Sequence, residues 1–501
     1  MREAYKEKTF MNLSKSLYTK GIQCPKALWL HKYKKEILTS PDDSALSRFE
    51  TGNEVGELAC QLFPDGVEIP YTENYDEMIA QTEQCIKDGI PYIYEAAFSY
   101  DGILVLVDVL EVSEDGVSIY EVKSSSSVKD IYVHDTSIQY YVLSKLGFKI
   151  KKANVVHINS AYVRKKYLEL DELFTIVDIS GEVIALQEKI PDVLDEFENI
   201  LSDTINEPDV DIGKYCNSPY SCDAKEYCWK VQKNIPEYSI FNIFNLGSKK
   251  QIELYSQGIK NIEDIPEDFT MTANQKLAVD TFTKQETFIY SEKVQEFVDT
   301  LTYPIYHLDF ETFVLAIPEY EGTQPYEQIP FQYSLHIEHE DGKLEHKEYL
   351  ASDSIDPRFE LPKRLCMDIP TDVTVLTYNM SFEKSVLKKL ALPYNARSSH
   401  LLSIHENIKD LMTPFQKKHY VTPSMNGSYS IKNVLPALVP EFAKSYKKLE
   451  NVQNGVEAMN AFSSMKKMEE NEKEKMRTAL LAYCKLDTLA MVKILEVLKK
   501  I

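Results

Sequence analysis

A chain of 501 residues is longer than one ordinary hydrophobic core organises, so two or three domains are expected. Hydrophobic content of 44% and charged content of 27% are those of a soluble globular protein, and no apolar run approaches the roughly 20 residues that span a bilayer, so no membrane role is expected. The formal charge of −22 argues against broad, sequence-blind binding to polyphosphate, yet leaves room for acids that work with metal ions. Residues 1–8 are charged and lack an apolar signal core. Eight cysteines over such a length do not suggest a disulfide framework, so a reducing cytoplasm is the expected compartment.

In chain order, residues 13–35 read as a short lead-in and a helix carrying Cys24, Leu28 and Trp29, and residues 49–62 as a second helix ending near Pro64-Asp65-Gly66. Residues 92–112 form paired strands that turn at Asp101-Gly102, and a turn at Asp115-Gly116 leads into a strand over 117–123. A helix over 135–146 stops at Gly147; a strand at 154–162 and a long amphipathic helix at 179–202 follow. Residues 235–300 read as a helical connector. From Tyr303 onward, strand-like runs at 305–309, 331–338 and 373–378 alternate with helices at 382–390, 430–438 and 477–499, the pattern of a second α/β domain. The charged stretch 466–477 reads as a solvated helix face.

Chemistry concentrates in three places. Asp108 closes an apolar alternating strand, and Glu121-Val122-Lys123 closes the next. Residues two apart on a strand share a face, so Glu121 and Lys123 can meet Asp108 across the hairpin. Two carboxylates suit Mg²⁺ or Mn²⁺, and the lysine can position a water against a phosphodiester. Cys24 stands far upstream of Cys216-x5-Cys222-x5-Cys228, and four thiolates suit a soft metal centre that clamps both ends of the intervening chain. Cys60, Cys85, Cys366 and Cys484 are isolated and read as buried or incidental thiols.

This arrangement, with Gln139-Tyr140-Tyr141 on the following helix, resembles the iron-sulfur nucleases of the RecB-like PD-(D/E)XK superfamily. The resemblance implies catalysis by Asp108, Glu121, Lys123 and Gln139, with a [4Fe–4S] cluster on Cys24, Cys216, Cys222 and Cys228. Zinc is the alternative occupant, although structural zinc sites usually have tighter cysteine pairs. Many relatives carry a metal-binding histidine four residues after a glycine. Here Gly52 is followed by Gly56, and Glu50, Glu54 or Glu57 could substitute, Glu54 being preferred.

The third place is C-terminal. His307-Leu308-Asp309-Phe310-Glu311 puts two acids on one face of a strand. Tyr378-Asn379-Met380-Ser381-Phe382-Glu383 runs from a strand into a helix, and Tyr483 and Asp487 lie one helical turn apart. Together these resemble the DnaQ-like exonucleases of the ribonuclease H-like fold. The resemblance implies metal ligation by Asp309, Glu311 and Asp487, an attacking water oriented by Tyr483, and Glu383 where relatives carry aspartate. Asp410 is expected to line the same cleft. Gly427-Ser428-Tyr429-Ser430-Ile431-Lys432, before a helix, reads as a capped N-terminus that could meet phosphate or be only a cap.

The expected architecture is α/β: a PD-(D/E)XK restriction-endonuclease-like core with helical flanks over 1–234, a connector over 235–300 and a DnaQ-like 3'–5' exonuclease domain over 301–501. The expected function is metal-dependent hydrolysis of DNA or RNA. The alternatives are a nucleic-acid-binding scaffold with inactive sites and a zinc-stapled interaction protein.

Overall fold

The computed structural model describes residues 12–391 and 396–501; the charged segment 1–8 lies outside them. The chain is mixed α/β and divides into two compact units. The first takes 1–234 together with Leu315–Tyr326, and the second takes Ile235–Val314 and Glu327–Ile501.

In the first unit, six strands run in the order Val67–Glu68, Tyr92–Tyr100, Ile103–Ser113, Gly116–Lys123, Ile150–Ile158 and Phe174–Asp178, with Leu13–Ser14 pairing beside Ile103 and Leu104. Asp101 and Gly102 both have positive φ, the two-residue hairpin turn whose twist matches its strands. At Gly116 a Cβ would lie 2.1 Å from the Lys149 carbonyl oxygen, so only glycine fits this second turn. The strand Gly116–Lys123 then pairs in parallel with Ile150–Ile158, and the helix Asp130–Lys145 makes the crossover between them.

Two helices expected from the sequence, the one carrying Cys24 and the long one over 179–202, are each broken. The first divides into Lys15–Gln23 and Pro25–Tyr33, because proline disfavours the helical region for the residue before it, and Cys24 is extended. The 179–202 helix divides into Ser180–Gln187 and Ile190–Ser202, with Pro191 in the first turn of the second.

In the second unit, five strands run in the order Leu344–Leu350, Ile329–Glu338, Ile305–Phe313, Thr374–Thr377 and Ile408–Asp410; the first three are antiparallel and the last two join in parallel. The central strand Ile305–Phe313 is covered on both faces. Leu308 and Phe310 pack with Leu361, Leu365 and Leu387, whereas Ile305 packs with Leu435, Met491 and Leu495 of the other layer. The helix Glu470–Leu498 supplies much of that layer; its charged start takes residues 470–477 of the 466–477 stretch, while Lys466 and Lys467 lie in the preceding 3-10 turn Met465–Lys467.

Residues 235–300 are counted within the second unit. They have an apolar cluster of Tyr238, Ile240, Leu254, Ile262 and Val279, and Phe288–Ile289 pairs with Tyr420–Val421. The loop Leu315–Tyr326 is counted with the first unit, held by Arg164 Nη1 donating to the Pro318 carbonyl at 2.8 Å and by Tyr326 Oη donating to the Ser124 carbonyl at 2.5 Å. Among the described residues, no helix is long and apolar enough to cross a membrane.

Candidate functional site

Strand register builds the first acid cluster. Tyr94 pairs with Val109 and Ala96 with Val107, so Glu95 stands opposite Asp108. Val109 pairs with Tyr120, and continuing that register sets Glu121 on the other side of Asp108. Directly opposed residues share a sheet face, so three acids form a row across three strands. Glu95 holds a left-handed backbone, with φ 54°, at a break in the ladder.

The crossover helix adds Asp135 and Gln139, one turn apart and both buried. Gln139 Nε2 donates to Glu121 Oε2 at 2.6 Å, while Lys123 Nζ donates to Glu121 Oε1 at 2.5 Å and to Asp135 Oδ2 at 2.8 Å. Lys15, from the helix beginning there, reaches Asp108 Oδ1 at 3.2 Å and the two Glu121 oxygens at 3.0 and 3.1 Å. Asp108 Oδ2 accepts from the Val122 N–H at 2.7 Å.

Burial, reinforced by Asp108, raises Glu95 to about 7; burial and Glu121 raise Asp135 to about 6 and also push Asp108 up. Glu121 goes the other way. Burial opposes its ionisation, but Lys123 and Lys15 outweigh it and hold the carboxyl well below its ordinary range.

Asp108, Glu121, Lys123 and Gln139 are therefore brought together, but Glu54 is not. It lies on the exposed face of the helix Asp43–Cys60. Sequence reasoning missed Glu95, Asp135 and Lys15. Asp135 was legible in principle, four residues before Gln139 on one helix face, whereas Glu95 looks like any residue of an alternating strand. Cys60 is also no isolated thiol, since burial and then the charges of Glu95 and Asp108 raise it to about 11.

Cys24, Cys216, Cys222 and Cys228 line one small cavity, with Ala27, Leu30 and Ala224 as apolar walls. Burial raises Cys24, Cys222 (to about 11) and Cys228, and each also feels the charge of at least one other cavity cysteine. Backbone N–H groups of Lys26 and Ala27 oppose that rise at Cys24, and Gly213 N–H donates to Cys216 Sγ at 3.4 Å. The donor set fits a thiolate-bound centre: four soft ligands, amides aimed at sulfur and no disulfide among the described residues. Among the described residues, no three of these sulfurs lie within 4.8 Å of one another. Tetrahedral zinc, with Zn–S bonds of about 2.3 Å, would draw its sulfurs to about 3.8 Å.

The second acid cluster joins three elements. Asp309 and Glu311 come from the strand Ile305–Phe313, Glu383 from the first turn of Met380–Leu390, and Asp487 from Glu470–Leu498. Burial first, and then neighbouring carboxylates, raise Asp309, Glu311 and Glu383 far above the ordinary carboxylate range. Burial raises Asp487 to about 6, against the hydroxyl of Tyr446, which donates to Asp487 Oδ1 at 2.5 Å. Glu383 is buried, and its Oε2 has no hydrogen-bond partner among the described residues.

Cys484 is not incidental. Asp309, Glu311 and Cys484 place ligand atoms within 4.8 Å of one another, and the thiol donates to Asp309 Oδ2 at 3.6 Å. Tyr483 is buried beside the acids, and burial plus their charge keep its phenol protonated. Lys432 is the nearby cation, its Nζ 5.6 and 5.9 Å from the ring centroids of Tyr446 and Tyr483. Tyr446 carries no motif that selects it, whereas Lys432 closes the Gly427–Lys432 segment expected to meet phosphate. Asp410 is a positioning residue, accepting from the N–H groups of Asn379, Met380 and Met412 at 3.0, 3.2 and 3.0 Å, and so fixes the start of the helix that bears Glu383. Ser430 Oγ donates to Asn433 Oδ1 at 2.7 Å, a bond local to its own helix start.

Residues 306–430 match a family described as a domain of unknown function, DUF2779. That region contains Asp309, Glu311, Glu383 and Asp410 and stops short of Lys432, Tyr483 and Asp487. The chain is also 27% identical over 233 residues to the uncharacterized protein UU173 of Ureaplasma parvum serovar 3, a stretch covering 44% of this chain. The chain spans about a third (33%) of that curated relative's length.

Proposed function

We propose that the protein is a metal-dependent nuclease hydrolysing phosphodiester bonds of DNA or RNA, with its working centre at Asp309, Glu311, Glu383 and Asp487. One observation carries this reading: three buried carboxylates, Glu311, Glu383 and Asp487, converge with the half-buried Asp309, and little neutralises them. Burying an unpaired carboxylate costs several kcal/mol, so a cluster of four calls for cations. Asp309, Glu311 and Asp487 would hold Mg²⁺ or Mn²⁺, with Glu383 beside them; paired divalent ions stabilise the attacking and leaving oxygens of phosphoryl displacement. The remaining work falls to side chains. The Tyr483 hydroxyl stays protonated, so it orients a water by hydrogen bonding and does not act as a base. Lys432 supplies a positive charge for the phosphate next to the acids.

The strand order of this unit, an antiparallel meander extended by parallel strands, supports the DnaQ-like resemblance. In the first unit, three antiparallel strands, the second and third carrying Asp108 and Glu121 with Lys123, are followed by a crossover helix and a parallel strand, an order that supports the PD-(D/E)XK resemblance. The spread of the four thiols favours a [4Fe–4S] cluster over zinc, and such free thiols suit a reducing cytoplasm.

The test is an assay of full-length protein on end-labelled single- and double-stranded DNA and RNA with Mg²⁺ or Mn²⁺. Metal-dependent shortening from the 3' end, lost in Asp309→Asn, is the expected result. No cleavage of any substrate, or undiminished cleavage by Asp309→Asn, overturns the reading.

A further inference from the structure

The first acid cluster already contains a cation. Lys15 Nζ bridges Asp108 Oδ1 and both Glu121 oxygens at 3.0–3.2 Å, contacts that a divalent ion shared by those two carboxylates would need to make itself. Its side chain is largely enclosed, at 19% exposure, so the ammonium is built into the site. A second set of observations marks unmet ligand atoms there: Asp135 Oδ1 and Gln139 Oε1 are buried and lack hydrogen-bond partners among the described residues.

Lys15 is also held from behind. Its helix, Lys15–Gln23, runs directly into Cys24. Along it, Lys20 Nζ pairs with Asp223 at 2.9 Å, and Gln23 Nε2 donates to the Tyr215 and Tyr220 carbonyls at 2.7 and 2.8 Å. The segment that carries three of the four cavity cysteines thus grips the helix that carries Lys15.

We infer that Lys15 is an internal counter-ion that a divalent cation must displace before Asp108 and Glu121 can bind it, so the first site is a cation-exchange site latched by the N-terminal helix. This rests on the reading of Asp108 and Glu121 as metal ligands. An ammonium and a divalent ion that both bridge Asp108 and Glu121 compete for one position, whereas Lys123 sits between Glu121 and Asp135. The latch therefore lowers metal affinity at this site while keeping its acids paired.

The experiment is Mn²⁺ binding to the full chain, read by electron paramagnetic resonance of the free ion, in an Asp309→Asn background that silences the other cluster. Lys15→Met is expected to bind Mn²⁺ at least tenfold more tightly than its parent, Lys15→Arg to match the parent, and Lys15→Met/Asp108→Asn to lose the gain. Circular dichroism establishes that each variant is folded. Tight binding by the parent that Asp108→Asn abolishes, with no gain from Lys15→Met, overturns the latch but keeps the metal site. No binding by the parent or Lys15→Met overturns both. A gain from Lys15→Met that survives Asp108→Asn places the new ion elsewhere and also overturns the latch.

Discussion

Two strand-borne acid clusters in this chain are balanced in opposite ways. In the first unit, Glu121 accepts from Lys15, Lys123 and Gln139, and its carboxyl is held ionised. In the second, Asp309 and Glu311 face other carboxylates, a thiol and phenols, with Lys432 as the cation nearby, and both are driven toward the protonated form. The same motif element, an acid two residues from its partner on a strand, thus gives one self-neutralised site and one in electrostatic debt. The difference lies in what the neighbouring helices present: lysine, aspartate and glutamine in one case, tyrosine, cysteine and aspartate in the other.

The comparison breaks most visibly in activity. Asp309→Asn removes a ligand that the second cluster cannot replace and is expected to lower cleavage by about a hundred- to a thousandfold, the scale of one such electrostatic contact. Stability should respond with opposite signs at the two clusters. Glu121→Gln removes the buried carboxylate that Lys15 and Lys123 share, leaving each ammonium one acid, Asp108 or Asp135, and should cost about 3 kcal/mol, the lower end for breaking a buried ion pair. The chain's two tryptophans, Trp29 and Trp229, both lie in the first unit, so denaturant unfolding followed by tryptophan fluorescence reads this loss there. Asp309→Asn without metal relieves repulsion instead, and calorimetry should find the second unit unharmed or slightly more stable. A large destabilisation by Asp309→Asn in metal-free buffer would refute the claim that this cluster is under-neutralised.

The pH dependence sharpens the contrast. Asp487 is raised to about 6 when folded, so between about pH 4 and 6 the folded second unit keeps a proton that the unfolded chain releases. Its metal-free stability should therefore fall as pH rises through that window, by up to about 3 kcal/mol from this residue. Glu121 is depressed, so its contribution to the first unit is present above about pH 4.5 and is lost as pH falls below that. Smallest is Tyr483→Phe, expected to keep metal binding and lose about tenfold in rate, the scale of one water-orienting hydrogen bond. Equal loss of metal binding would make Tyr483 structural.

Much of this was legible from local pattern. Alternation and the Asp101-Gly102 turn marked the first hairpin, and the two-residue spacings in Glu121-Val122-Lys123 and Asp309-Phe310-Glu311 marked faces that the folded chain brings to the acid clusters. The cysteine spacing identified four thiols that line one cavity. What escaped depends on long-range register. Glu95 reaches Asp108 only because their strands align, Lys15 arrives from a helix 93 residues away in sequence from Asp108, and Cys484 joins the acids because its helix packs against their strand. Glu54 neighbours the position where relatives carry histidine, and helical phase turns it outward. The Leu315–Tyr326 excursion has no compositional mark, since its role is set by partners such as Arg164 and Ser124.

The most direct test of the central claim is a Mn²⁺ titration of the full-length protein at pH 7.5, comparing wild type, Asp309→Asn and Glu121→Gln by electron paramagnetic resonance. The account predicts tight binding by wild type, loss of that binding in Asp309→Asn, and wild-type binding in Glu121→Gln. Tight binding that persists in Asp309→Asn and disappears in Glu121→Gln would contradict it.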